Sequence, residues 1–134
     1  MSAIQALLAF TAWTFLLVAK VFLYRTFRVA GGAPINQWPR SAKPGNELPL
    51  IKRLEDAHAN CVENLPVFAA IVLTAAVTNR LDAINAIAPF VFYARIGQTL
   101  AHLSGTGQPN VWVRASFFSV QLGAFGWMLV KLLA

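Results

Sequence analysis

Eight polar residues in an otherwise apolar chain have the types and spacing to do chemistry together. Asp56, Asn60 and Glu63 stand at i, i+4 and i+7, so a helix would carry all three on one face. Arg95, Gln98 and His102 cover the same span further along, and Arg114 and Gln121 lie two helical turns apart. A carboxylate and an arginine at equal depth would form an ion pair. Arginine is also a planar partner for a carboxylate ligand, and the surplus basic groups suit a small anion held between helices.

The elements that must position these residues are membrane helices. The chain has 134 residues, 57% of them apolar and only 12% charged, about half the usual charged share. A soluble domain this short has too much surface for its volume to hide so much apolar material, and lipid removes that problem. It reads as one domain spanning residues 1–134, an all-α integral membrane protein built as a bundle of four transmembrane helices. The net charge of +6 does not mark a nucleic-acid binder, because seven of the eleven basic residues cluster between Lys20 and Arg53. The N-terminal apolar run has no basic residue before it and no small-x-small cleavage site, so it reads as a retained helix.

Helices are expected over about 3–27, 53–79, 82–103 and 110–133. In the first, Lys20 can snorkel to the interface. Residues 28–52 form a long loop, because Gly31, Gly32, Pro34, Pro39, Pro44, Gly45 and Pro49 make a helix implausible there. Trp38 in this loop suits an interfacial anchor. The second and third helices reach across ~30 Å of hydrocarbon only if Glu63 and Arg95 are carried inside. Pro66 is expected to kink the second. Lys and Arg gather in the first loop as Arg25, Arg28, Arg40, Lys43, Lys52 and Arg53, against Arg80 alone in the second. That loop should therefore face the cytoplasm, with both termini on the other side.

This topology brings the start of helix 2, the end of helix 3 and the start of helix 4 to one membrane face. Glu63 would lie ~9 Å deep and Arg95 ~12 Å deep, which invites a Glu63–Arg95 pair. Each charge costs ~2.5–3.5 kcal/mol to insert, so such residues face the bundle interior and find partners. One use of the pair is purely structural, fixing helix register. That use leaves Asn60, His102 and Arg114 at the same level unexplained. His58 and His102 lack metal-ligand spacing, and no carboxylate or cysteine completes a set, so no metal is expected. Cys61 reads as a small buried residue, and Phe90, Phe92, Tyr93, Phe117 and Phe118 read as packing.

From Arg53 to Phe68 the sequence, with Ala57-His58-x-Asn60-x-x-Glu63 followed by Pro66 and Phe68, resembles the signature of the MAPEG family (membrane-associated proteins in eicosanoid and glutathione metabolism). The resemblance extends through Arg95 and Ala101-His102-Leu103 to Arg114, and so over nearly the whole chain. It implies a homotrimer with glutathione as co-substrate, bound between protomers near the cytoplasmic face. Asn60 and Glu63 would contact the tripeptide, with Gln98 and His102 beside them and Arg95 structural or facing the ligand. Arg114 would stabilise the glutathione thiolate. The implied activity is that of a glutathione transferase or peroxidase acting on lipophilic electrophiles that partition from membrane lipid. Two other functions fit the same residues: a non-catalytic protein that binds a lipid or ligand, or a small structural or transport subunit. The chain departs from the eicosanoid enzymes of the family at Asp56 and Ala59, where those carry arginines, and at His102, where a tyrosine is common.

Overall fold

Prolines decide where three of the four helices begin. The computed structural model describes residues 1–39 and 43–134. Arg40, counted above in the first loop, lies outside the described residues. The helices are α1 (Ala3–Ala30), α2 (Pro49–Val77), α3 (Ala88–Ser104) and α4 (Gln108–Leu133), with a short 3₁₀ turn at Leu81–Ala83 before α3. Among the described residues there is no strand. Pro49, Pro89 and Pro109 each occupy the first turn of their helix, where a missing N–H breaks no intrahelical bond.

This proline logic corrects several expected boundaries. Helix 2 starts at Pro49 rather than 53, because proline at the first helical position is favourable. Helix 3 starts at Ala88 rather than 82, since an earlier start would have placed Pro89 in the helix interior. Its 17 residues are only ~25 Å long, and the remaining chain is taken by turns. Helix 1 continues to Ala30, three residues past the expected end, and stops at Gly31 and Gly32, whose φ is +99°. The expected loop of 28–52 shrinks accordingly. Around Pro66, α2 remains a single helix.

The bundle runs up and down. Backbone N–H of Ala3 donates to Asn85 Oδ1 at 2.9 Å, which ties the start of α1 to the turn between α2 and α3. Arg80 donates to the carbonyls of Lys131 and Leu132, so the end of α4 lies at that same membrane face. At the opposite face Arg25 pairs with Glu55 at 2.7 Å and Lys43 with Asp56 at 2.5 Å. By length and composition, α1, α2 and α4 are apolar enough to cross a membrane. Their outward side chains, such as Leu8, Phe15, Phe22, Leu73 and Val130, are exposed, as lipid-facing residues must be.

α2 and α3 form the centre, with α1 and α4 on opposite sides. Phe68 of α2 is fully buried and meets Phe10 of α1 and Phe125 of α4, each with ring centroids 6.0 Å apart. Contacts of this geometry add ~0.5–1.5 kcal/mol beyond burial. Where α3 meets α4, Gly97 makes room for the ring of Phe117.

A residue without a role in the sequence reading, Glu47, anchors the first loop. Its carboxylate is buried and accepts from Tyr24 Oη, from Trp38 Nε1 at 2.7 Å and from the Leu48 N–H at 3.1 Å. Arg28 lies 4.0 Å away. Burial raises the Glu47 pKa, but these donors and the Arg28 charge outweigh it, and the net shift is downward from 4.5. A lowered folded-state value means that stability from Glu47 is fully present above pH 4.5 and is lost as pH falls through that lower value. In Glu47→Ala, backbone N–H groups of residues 45–48 should exchange about tenfold faster or more, matching the ~1.5 kcal/mol of a hydrogen bond to a charged group. Unchanged exchange would show that the loop is held by something else.

Candidate functional site

Three helices supply the polar residues of one groove. Asn60 and Glu63 come from α2, Gln98 and His102 from α3, and Arg114 from α4, and all five line a groove of ≈ 330 Å³. Phe118, expected to serve only in packing, lines it too. The turn between α3 and α4 sets the last residue in place. Asn110 Nδ2 donates to Ser104 Oγ at 2.7 Å and to the Ala101 carbonyl at 3.3 Å, and four residues later Arg114 emerges level with His102.

His102 is the hinge of the groove. Arg114 Nη1 lies 2.8 Å from its Nδ1, and Asn60 Nδ2 lies 3.1 Å from its Nε2. Asn60 Nδ2 also donates to the Asp56 carbonyl at 3.0 Å. A neutral imidazole has one lone pair, so it cannot accept from both neighbours. Arginine can only donate and is charged, which gives Arg114 the stronger claim on that lone pair. Glu63 is exposed at the groove's edge, so the groove carries one anionic and one cationic side chain.

Arg95 lies behind the groove and not in it. It is 1% exposed, and its Nη2 donates to Gln121 Oε1 at 2.6 Å. Gln121 Nε2 donates in turn to Gln98 Oε1 at 2.8 Å, and Asn64 Nδ2 approaches Gln121 Oε1 at 3.5 Å. The guanidinium also sits over the ring of Phe10, 5.3 Å from its centroid. The expected Glu63–Arg95 pair is therefore not formed. An amide carbonyl from α4 takes the bond instead, because the Arg95 side chain runs into the bundle while Glu63 faces outward. Asp56, expected on the same polar stripe, is exposed and bonded to Lys43. Gln98 is the one residue shared by groove and buried network.

The MAPEG family model matches residues 3–134. The chain belongs to the MAPEG family. As a MAPEG protein with three long apolar helices it is an integral membrane protein, as the apolar runs led one to expect. A comparison with curated proteins gave no match. Sequence reasoning passed over Asn64, and it placed Gln121 on the polar stripe of helix 4 without foreseeing its bond from Arg95. The signal for both was present: uncharged amides inside apolar runs, each needing a partner in lipid.

The α3–α4 approach that holds Arg114 against His102 depends on Gly97. A Cβ there would lie 2.4 Å from the Phe117 ring, so the ring or the helices must move. Gly97→Ala should cost ~1–3 kcal/mol in reversible unfolding in detergent, and Phe117→Leu in the same chain should recover part of it. Full stability of Gly97→Ala alone would show that the contact is loose.

Proposed function

We propose that this MAPEG protein is a glutathione-dependent transferase or peroxidase for lipophilic electrophiles. The observation that carries the reading is the gathering of Asn60, Glu63, His102 and Arg114 from three helices onto one groove. Glutathione has an ammonium group, two carboxylates and a thiol. The Glu63 carboxylate suits the ammonium, the Asn60 carboxamide can bond the peptide backbone, and Arg114 suits the thiolate. A thiolate is the nucleophile, and a neighbouring guanidinium lowers the thiol pKa. Gln98 and His102 complete the wall, and Arg95 supports it from behind through Gln121.

An exposed Glu63 in a membrane-spanning helix needs cover, and a neighbouring protomer of a homotrimer would supply it. The electrophile would enter from membrane lipid. With the basic first loop in the cytoplasm, the groove opens towards that side and both termini lie opposite.

A second reading is a non-catalytic ligand-binding protein. It is favoured by Arg114 being already engaged by His102 rather than free. The two separate in one experiment with detergent-solubilised protein, an aryl halide and glutathione. The enzyme reading predicts conjugate formation that Arg114→Ala lowers about a hundredfold in kcat, as for loss of one donor to a developing anion. Calorimetric glutathione binding without turnover, unchanged in Arg114→Ala, would select the second reading.

A further inference from the structure

The ring of His102 has a neighbour against each nitrogen and a single lone pair to offer, and Arg114, which can only donate, takes that lone pair at Nδ1. An anionic acceptor arriving beside Arg114 would free that lone pair. We propose that His102 is the base that takes the glutathione thiol proton, in an exchange in which Arg114 passes from His102 Nδ1 to the sulfur. The inference rests on the glutathione reading above.

With Arg114 bonded at Nδ1, the ring is the neutral tautomer whose hydrogen is on Nε2. A thiol entering between the two side chains can give its proton to the ring, and the thiolate so formed is a stronger acceptor for Arg114 than an imidazole nitrogen, so proton and guanidinium exchange places together. As the guanidinium swings to the sulfur it uncovers the Nδ1 lone pair. The S–H bond breaks, an N–H bond forms at Nδ1, and the bonding pair stays on sulfur. The products are a thiolate facing Arg114 and an imidazolium facing the thiolate. No other reactant is needed, and net charge is conserved. The Nε2 hydrogen stays against Asn60, whose carboxamide can turn its oxygen to the ring. Charged groups around the ring are Asp56 and Glu63 from α2, Arg95 on its own helix and Arg114 from α4. His102 is itself 7% exposed, so bulk water does not compete freely for the proton.

Proton counting tests this directly. Glutathione is added to the full-length protein in detergent at neutral pH with almost no buffer. Thiolate is followed by its ultraviolet band and released protons by an indicator dye. If His102 keeps the proton, the wild type forms thiolate with no matching proton release. In His102→Tyr the phenol oxygen still accepts from Arg114 but does not hold a further proton, so one proton should appear for each thiolate. In His102→Gln either the same one-to-one release is seen or thiolate fails to form. Equal one-to-one release in the wild type and in His102→Tyr overturns the proposal and leaves the glutathione reading standing. Absence of glutathione binding to the wild type overturns both.

Discussion

A guanidinium in the middle of a membrane bundle has no water to solvate it, so the protein must supply every contact it has. Arg95 is solvated by groups from the other helices: the Gln121 carbonyl oxygen from α4 and the Phe10 ring from α1, with Asn64 of α2 bonded to the same Gln121 oxygen. A hydrogen bond to such a charge contributes ~1.5–3 kcal/mol, as much as burying a large apolar side chain. The positions of α1, α2 and α4 around α3 are therefore tied to one side chain. The aromatic ladder Phe10–Phe68–Phe125 packs beside it and fills the space that this arrangement leaves.

The groove inherits its geometry from that buried network. Gln98 belongs to both, through its bond from Gln121 and its place in the groove wall. His102 lies two turns along the same helix from Arg95, and Arg114 lies two turns before Gln121 on α4. Fixing Arg95 on Gln121 thus fixes the level at which His102 meets Arg114. On α2 the outward face carries Asn60 and Glu63 while Asn64, one residue beyond Glu63, points inward. A single helix so serves both the network and the groove.

How much of this the sequence discloses depends on how local each cause is. Four helices, three of them long, follow from apolar runs whose lengths are set by the bilayer. The gathering of Asn60, Glu63, Gln98, His102 and Arg114 follows from helical spacing combined with an up-down topology. What fails is partner choice. Glu63 and Arg95 are at equal depth, but depth does not give rotation about the helix axis, and rotation turns one outward and the other inward. Helix starts fail for a different reason: the expected bounds leave Pro49 and Pro109 outside their helices and Pro89 inside one, whereas all three act as first-turn residues. Glu47 was hidden because its donors, Tyr24 and Trp38, are distant in sequence and only meet when the loop folds back.

The central claim is that Arg95 is held by Gln121 and not by Glu63, and paired double-mutant cycles measure this most directly. Reversible unfolding in detergent is compared for Arg95→Met with Gln121→Leu, and for Arg95→Met with Glu63→Gln. A coupling energy of ~1.5–3 kcal/mol for Arg95 with Gln121, and less than ~0.5 kcal/mol for Arg95 with Glu63, is the predicted result. Strong coupling to Glu63 with little to Gln121 would contradict it.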